Sequence, residues 1–196
     1  MALFSSFDAW IPPMFILIAL LLWRGGFHAR AFVVCAGIIV GINDGVISNS
    51  IKHIVSRPRP HQSIDGVRQV DLAKARPRIL AVAKPPKIKL SAAATDLRDL
   101  QGRSFPSSHT VNTISVALLA TCFYRRRGWL AFIPAACVGY SRIYCGSHWP
   151  SDILASIFIG LGATLLLLCL LEWLWKTRGG SILPKVHAAH PSLLQS

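Results

Sequence analysis

The chain has 196 residues, with 21 Lys and Arg against 8 Asp and Glu and a formal net charge of +13. Hydrophobic residues make up 53% of it, and the mean hydropathy is +0.48. This apolar content excludes a disordered chain, and the absence of a short period excludes a collagen-like one. The length predicts a single domain over residues 1–196. The five cysteines form no C-x-x-C pair, so neither a disulfide framework nor a zinc cluster is expected.

Five apolar runs predict a membrane-embedded bundle of helices. Each is typical of a helix that approaches or exceeds the roughly 20 residues needed to cross a bilayer. The runs are Ala9–Trp23, Ala31–Val55, Phe105–Tyr124, Trp129–Tyr144 and Pro150–Trp175. We therefore expect an all-α, polytopic membrane protein with about five transmembrane helices. The first run has no positive segment before it and no obvious cleavage site after it, which favours a retained helix over a signal peptide.

One polar segment cannot cross the membrane. Residues 61–103 form a basic inserted loop with nine Lys and Arg, four Asp and three prolines. Its composition fits a loop that associates with anionic lipid headgroups, and it also fits a lid over a phosphate site. Nucleic-acid binding is not expected, because the segment lacks interleaved aromatic side chains on which bases stack.

Polar residues collect at one set of helix ends. Charged residues at such positions are costly unless they are paired, hydrated or functional. Because successive spans reverse direction, the end of the second run, the start of the third and the turn between the fourth and fifth lie on one side of the membrane. The residues at these ends are Lys52, Arg59, Ser107, Ser108, His109, Arg142, His148 and Asp152. The sequence thus predicts one site at one membrane interface.

The first of these ends is basic. Lys52 and Arg59 are seven residues apart, which is two helical turns, so both would project from one face if the helix persisted. Pro58 and Pro60 favour an end to the helix here, so the argument is firmer for Lys52 than for Arg59. Arg57, five residues from Lys52, is expected to point elsewhere. The alternative for Lys52 is an anchor that reaches the lipid headgroups.

The second end is a helix start with small hydroxyl residues. Ser107 and Ser108 precede an apolar run, so backbone N–H groups and the positive end of the helix dipole would form an anion site. The alternatives are ordinary N-capping by the two serines and, for His109, an interfacial histidine bonded to a neighbour.

The third end joins an arginine to a His–Asp pair. His148 and Asp152 are four residues apart around Pro150, in the first turn of the last run, so the carboxylate could reach the imidazole and fix its tautomer. The alternative is that Asp152 only caps the helix. Arg142 supplies a planar guanidinium that matches phosphate oxygens in two simultaneous bonds.

A few polar residues lie away from these ends. Asn43, Asp44 and Asn112 fall inside apolar runs, where we expect interhelical hydrogen bonds. His187 and His190 fall in a predicted polar tail, residues 177–196, and are interpreted as tail residues without a ligand role.

Taken in order, the polar ends resemble the three-block signature of the type 2 phosphatidic acid phosphatase family of integral membrane proteins. Soluble relatives of that family include vanadium haloperoxidases and acid phosphatases. The blocks are Lys52-x6-Arg59-Pro60, Pro106-Ser107-Ser108-His109 and Ser141-Arg142-x5-His148-x3-Asp152. The resemblance covers roughly Ala31–Trp175 and does not account for the 61–103 insertion. Ser108 stands where the family usually has glycine, but serine keeps the backbone N–H that would bind phosphate.

The resemblance implies a role for each residue. His148 would attack phosphorus and form a phosphohistidine, Asp152 would orient it, and His109 would protonate the leaving oxygen. The groups implied to hold phosphate are those of Lys52, Arg59, Ser107, Ser108 and Arg142. Asp152 is the one carboxylate among these residues, whereas two-metal phosphatases gather several, so no metal or other cofactor is expected.

The expected substrate is a membrane lipid phosphate that enters laterally from the bilayer. Bacterial members of the family act on polyprenyl diphosphates, phosphatidylglycerol phosphate, phosphatidate or lipid A, and the Ser-Ser-His form of the second block favours undecaprenyl diphosphate-type or lipid A substrates. Two alternatives stay open: a lipid phosphotransferase of the same chemistry, and a non-enzymatic protein that binds or transports lipid headgroups. The oligomeric state is not predicted.

Charge also predicts an orientation. The side with the site carries 13 Lys and Arg and the opposite side 8, but most of the 13 lie in the long loop, whereas the 8 lie in short loops and the tail. Short loops dominate the positive-inside rule, which assigns the 8 to the cytoplasm. We therefore expect a bacterial inner (plasma) membrane protein with an extracytoplasmic site.

Overall fold

The structure is a computed structural model that describes residues 1, 4, 6–71, 84–91 and 103–194. Helices dominate these residues, as the sequence predicts. They are α1 (Phe7–Arg24), α2 (Phe27–Ile42), α3 (Asn49–Val55), α4 (Pro60–Ser63), α5 (Ser108–Tyr124), α6 (Phe132–Tyr144), α7 (Pro150–Ile182) and α8 (Pro184–Ala189). Two short strands, β1 (Arg68–Asp71) and β2 (Lys87–Leu90), pair antiparallel with Val70 opposite Ile88.

Two helical segments are long and apolar enough to cross a bilayer. Among the described residues these are Phe27–Ser63 and Pro150–Ile182, and α1 contributes a shorter apolar stretch, Trp10–Arg24. Helix α6 has 13 residues, which at 1.5 Å per residue is about 20 Å, less than the hydrocarbon thickness. The expectation of about five transmembrane helices is therefore confirmed only as a mostly helical fold with two candidate spans.

The predicted fourth run is shortened at its start. Residues Arg125–Ala131 form a 3-10 helix instead of the first turns of a longer α-helix. Arg125 ends α5 with a positive φ of 51°. Gly128 packs so closely on the Ala120 carbonyl that an added Cβ would lie 2.1 Å from its oxygen. The chain thus turns tightly here, and α6 begins only at Phe132.

The predicted second run is a helix with two interruptions. A π-helical turn, Asn43–Ser48, separates α2 from α3, and α3 ends at Val55 with Ser56 in the left-handed region at φ 44°. Arg59 therefore does not share a helix with Lys52, as the nearby prolines suggested. The distance between the Lys52 and Arg59 side chains therefore depends on the turn at Ser56 and not on helical spacing.

Helix α5 lies at the centre of the bundle and packs against α2, α6 and α7. Ile39, Leu119 and Leu168 from three helices are buried together. Gly160 of α7 allows close approach to α5, since an added Cβ would lie 3.0 Å from the Val111 carbonyl oxygen. This packing fixes the start of α5 against the start of α7.

Polar contacts also join the helices. The Asn43 side-chain amide donates to the Ser115 hydroxyl at 2.8 Å, a buried contact between the π-helical turn and α5. This confirms the expected interhelical role of Asn43. A buried bond of this kind is favoured because an unpaired polar group in an apolar interior is costly.

The predicted polar tail begins within α7, which continues to Ile182. Beyond it the chain folds back: His190 stacks on Phe27 at a ring separation of 4.2 Å, and its carbonyl accepts a bond from the Trp175 indole. The Glu172 carboxylate accepts bonds from the Leu193 N–H and from the Ser192 hydroxyl. His190 thus has a structural role.

The inserted loop touches the turn before α7. Gly146 has a φ of +66°, and a Cβ there would lie 2.8 Å from the Arg68 carbonyl oxygen, so strand β1 and this turn require glycine. The His61 Nδ1 is 2.9 Å from the Gly146 carbonyl. The remaining parts of the predicted insertion, 72–83 and 92–102, lie outside the described residues.

Candidate active site

The first and second blocks meet at a lysine and a serine. The Lys52 ammonium, near the end of α3, donates to the Ser108 hydroxyl at the start of α5 across 2.5 Å. Both residues are half-buried. The contact puts a cation beside the N-terminal turn of α5, where the helix dipole already favours an anion.

Ser107 ties the second block to α7. It is buried, its hydroxyl accepts a bond from the Thr110 hydroxyl at 3.1 Å, and its N–H donates to the Ser156 hydroxyl at 2.9 Å. The Ser107 side chain makes no capping bond to the helix backbone, so the N-capping alternative is wrong for this residue. The Ser107 hydroxyl instead bonds within the first turn of α5, and the Ser107 backbone N–H connects this turn to α7.

The turn between α6 and α7 holds the third block together. The N–H groups of Ser147 and His148 both donate to the Arg142 carbonyl, at 3.1 and 3.3 Å. This local closure keeps the arginine that ends α6 near the histidine that precedes α7. His148 is only 4% exposed, whereas Arg142 is half-buried.

The imidazole of His148 is oriented by a backbone carbonyl. Its Nδ1 lies 2.6 Å from the Ser104 carbonyl oxygen. A carbonyl oxygen only accepts, so Nδ1 carries the hydrogen and Nε2 keeps its lone pair. The expected direct bond to Asp152 is not made: its Oδ2 is 4.0 Å from Nδ1. The Asp152 carboxylate is connected to the imidazole through Ser104, whose hydroxyl donates to Asp152 at 2.5 Å.

Asp152 is fully buried and has three donors. Its Oδ1 accepts the Arg57 guanidinium at 2.6 Å, and its Oδ2 accepts the Trp149 N–H at 3.1 Å as well as the Ser104 hydroxyl. The Trp149 bond is a helix-start contact of the kind that the capping alternative predicts, but Asp152 also binds Arg57 and Ser104, so it does not only cap the helix. The expectation that Arg57 points away from the site is wrong, because Ser56 in the left-handed region turns the chain after α3. The sequence signal for this contact was Arg57 itself, a third basic residue in the first block between Lys52 and Arg59.

Burial and neighbouring cations act together on His148. Burial, the largest cause, lowers its pKa from 6.5 to about 3, and the charges of Arg142, Arg59 and His109 act in the same direction. The hydrogen bond to the Ser104 carbonyl acts the other way and raises the pKa, by less than burial and Arg142 lower it. At neutral pH the imidazole is uncharged, which is the form that carries a nucleophilic lone pair.

Residues of all three sequence blocks are close enough to interact through their charges. His148 interacts with the charges of Arg59 and Arg142, and His109 interacts with both of these and with Lys52. Four elements thus contribute: α3 with the turn after it, α5, α6 and the start of α7. Their summed charge is positive, which suits a phosphate group.

Metal ligands are not grouped at this site. Within the described ranges, no three His, Cys, Asp or Glu side chains are placed to hold one metal ion. The groups that offset negative charge here are the ammonium and guanidinium groups of Lys52, Arg59 and Arg142.

A buried imidazole among cationic side chains at one set of helix ends is an arrangement that suits an anionic group. The family model described as the PAP2 superfamily matches residues 30–176, and the chain belongs to this superfamily. This confirms the resemblance drawn from the three blocks. No solved structure shows a significant match to the chain.

Curated relatives match parts of the chain. A lipid A 4'-phosphatase of Bacteroides thetaiotaomicron is 24% identical over 82% of this chain and 63% of its own length. A bacitracin transport permease protein BcrC of Bacillus licheniformis is 41% identical over 30% of this chain and 29% of its own length. An undecaprenyl-diphosphatase BcrC of Bacillus subtilis is 34% identical over 30% of this chain and 30% of its own length. The chain therefore spans less than two thirds of each of these relatives.

Proposed function

We propose that this protein is a membrane lipid phosphate phosphatase that works through a phosphohistidine at His148. One observation carries the proposal: the His148 imidazole is neutral and held by the Ser104 carbonyl, with its Nε2 lone pair available beside the cationic groups of three sequence blocks. Membership of the PAP2 superfamily and the phosphatases among its relatives support the same chemistry.

In the first step the His148 Nε2 attacks phosphorus, and the bond from phosphorus to the lipid oxygen breaks. The bound anionic phosphate favours the charged form of His109, which takes up a proton as the substrate binds and donates it to the leaving oxygen, which would otherwise be a poor leaving group. The phosphorylated ring still holds hydrogen at Nδ1 and is positively charged. The Asp152 carboxylate, 4.0 Å from Nδ1, offsets that charge.

In the second step water attacks phosphorus and the nitrogen–phosphorus bond breaks. His109, deprotonated by the first step, takes a proton from the water. Inorganic phosphate and the free imidazole of His148 are the products at the enzyme.

Phosphate oxygens are held by positive charge and by donors at the start of α5. We assign this binding to the side chains of Lys52, Arg59 and Arg142, with the Ser107 hydroxyl and the Ser108 N–H. The Lys52 ammonium already lies 2.5 Å from the Ser108 hydroxyl. Because three cations offset the charge of the transferring group, we propose that turnover needs no metal ion, and we expect full activity in excess chelator.

The substrate proposed here is a lipid phosphate whose chains remain in the bilayer. The names of two relatives, an undecaprenyl-diphosphatase and a lipid A 4'-phosphatase, favour a polyprenyl diphosphate or lipid A over phosphatidate. The basic residues Lys87 and Lys89 of β2 lie on the insertion that contacts the Gly146 turn. We propose that these lysines, on the strand paired with β1, add positive charge for an anionic headgroup.

We further propose a location in the bacterial inner membrane with the site outside the cytoplasm. The basic sequence Arg125-Arg126-Arg127 lies in the short connection between α5 and α6, on the face assigned to the cytoplasm. Cysteine labelling tests this: Ser63→Cys should react from outside intact cells and Arg126→Cys should not. Labelling of Ser63→Cys only after the membrane is opened would reverse the orientation.

The decisive experiment is purification in detergent followed by phosphate release from a panel of isoprenoid, lipid A and phospholipid substrates. The phosphatase proposal expects release without an added acceptor, and trapping of phosphate on the wild-type protein but not on His148→Asn. Release that depends on a second lipid would favour the phosphotransferase. No release from any substrate, with headgroup binding retained in His148→Asn, would favour the non-enzymatic alternative.

A further inference from the structure

Arg57 is held in one place by three contacts. Its guanidinium donates to Asp152 Oδ1 at 2.6 Å and to the Ser151 hydroxyl at 3.0 Å. The same group lies over the Trp149 ring, 5.3 Å from its centroid. A planar, always-charged guanidinium that also stacks on an aromatic ring is well suited to fix a carboxylate. Asp152 is fully buried whereas the Arg57 side chain is 39% exposed, so the pair sits at the edge of the site.

The backbone of Arg57 fixes a second group. Its carbonyl accepts the Ser104 N–H at 2.9 Å. Ser104 in turn bonds the His148 Nδ1 through its carbonyl and the Asp152 carboxylate through its hydroxyl. Arg57 therefore contacts both residues that carry a possible acceptor for the ring N–H.

We infer that Arg57 is a positioning residue: it holds the Asp152 carboxylate away from the His148 imidazole. The Ser104 carbonyl, a neutral acceptor, then remains the partner of the ring. The catalytic meaning of this arrangement rests on the proposed function, whereas the arrangement itself is measurable without substrate. Arg57 lies outside the eight residues that the sequence motif selects.

The position of the Asp152 carboxylate affects whether the His148 ring is neutral or protonated. A carboxylate bonded directly to Nδ1–H favours the protonated imidazolium, which has no lone pair for attack, while a carbonyl does so much less. Held 4.0 Å away, Asp152 can still offset the positive charge of a phosphorylated ring without favouring protonation of the free one. Arg57 thus keeps the nucleophile available.

Other charged groups also face His148. They are Arg142 from α6, His109 from α5, Arg59 from the turn before α4 and Asp152 from α7. Loss of the Arg57 charge would by itself favour the imidazolium, so the test must separate that direct effect from release of the carboxylate. The Asp152→Asn background does so, because it has no carboxylate to release.

The experiment is an NMR titration of the full-length protein in detergent with 15N-labelled histidine, without substrate. The His148 signal is assigned by its loss in His148→Gln. We expect Arg57→Gln to raise the His148 titration midpoint by about one pH unit or more, and to raise it much less in the Asp152→Asn background. Arg126→Gln, in the connection between α5 and α6, is the matched control and should leave the midpoint unchanged.

Equal rises in both backgrounds would overturn the inference, because Arg57 would then act only through its own charge. An unchanged midpoint in Arg57→Gln would also overturn it. Should that variant not fold, Arg57→Lys, which keeps the charge but loses the planar fork, is compared in the two backgrounds instead. We expect a small rise with the carboxylate present and none in Asp152→Asn; no difference between backgrounds would refute the inference.

The proposed function can fail separately. If Arg57→Gln shifts the midpoint in this way but the wild-type protein releases no phosphate from any lipid, the inference about Arg57 stands and the phosphatase proposal falls.

Discussion

The Lys52 ammonium donates to the Ser108 hydroxyl across 2.5 Å and so joins the end of α3 to the start of α5. Serine occupies the position where the related family usually has glycine, and this contact depends on its side chain. The Ser108 side chain therefore orders a cation, which a glycine at this position could not do. A Ser108→Gly substitution therefore tests what the hydroxyl contact to Lys52 contributes.

Replacement of Ser108 should affect turnover modestly. Ser108→Gly and Ser108→Ala both lose the contact to Lys52 but keep the backbone N–H, so we expect less than about a tenfold change in kcat/KM for each. Lys52→Met removes a charge that we propose binds phosphate, so kcat/KM should fall about a hundredfold or more. Steady-state phosphate release on one lipid substrate measures all three. A loss in Ser108→Gly as large as that in Lys52→Met would show that the hydroxyl itself binds substrate.

The two histidines should differ in which step they affect. His148→Asn removes the nucleophile, so we expect turnover to fall by about a thousandfold or more and the phosphorylated protein to disappear. His109→Asn keeps the nucleophile but lacks the proton donor. It should recover rate most on a substrate whose leaving group needs no proton, such as a nitrophenyl phosphate. Rapid-quench trapping and a comparison of the two substrate types make the measurement, and an equal loss on both substrates would contradict the role of His109.

The stability of the protein should depend on pH through His148. Its pKa is lowered from 6.5 to about 3 in the folded protein. Below pH 6.5 the unfolded chain binds a proton at this site that the folded chain does not, so the stabilisation present above that pH is lost as the pH falls toward 3. We expect the wild-type Tm to drop more between pH 7 and pH 4 than the Tm of His148→Gln. Thermal unfolding in the same detergent measures both, and parallel curves would contradict the burial of a neutral imidazole.

The C-terminal contact should stabilise the fold without serving catalysis. Glu172→Ala leaves the Leu193 N–H and the Ser192 hydroxyl without their acceptor, which costs about 1–3 kcal/mol. Lys176→Ala is the matched control, because the Lys176 end of its salt bridge to Glu172 is 55% exposed and the bridge should contribute less than about 1 kcal/mol. A lower Tm in the first variant with unchanged turnover per folded molecule is expected. A proportional loss of turnover would instead connect this end of α7 to the site.

Strand β2 should lie in the lipid headgroup region. Ile88 and Leu90 are 50% and 75% exposed, and Lys87 and Lys89 alternate with them. Apolar side chains beside lysines are typical of a segment at a membrane surface. We expect Ile88→Trp to add fluorescence that brominated lipids quench, and Lys89→Trp, on the opposite face of the strand, to be quenched less. Equal, weak quenching would place this strand in water.

The sequence alone determined the chemical content of the site. Apolar run length predicts helices, and alternation of direction predicts three polar ends on one side, which groups Lys52, His109 and His148 from the sequence alone. The helical fold is confirmed because helix formation follows from local composition, whereas the five spans are confirmed only as two candidates and the roles of the site residues stay predictions. The family assignment over residues 30–176 follows from the same residues.

Only the tertiary structure decided which partners those residues take. The left-handed Ser56 turns Arg57 onto Asp152, and Ser104, just before the second block, supplies the carbonyl that holds His148. Sequence spacing cannot predict such contacts, because a carboxylate four residues from a histidine has several donors within reach. The choice among them depends on how a distant loop is packed, and that is a property of the folded chain.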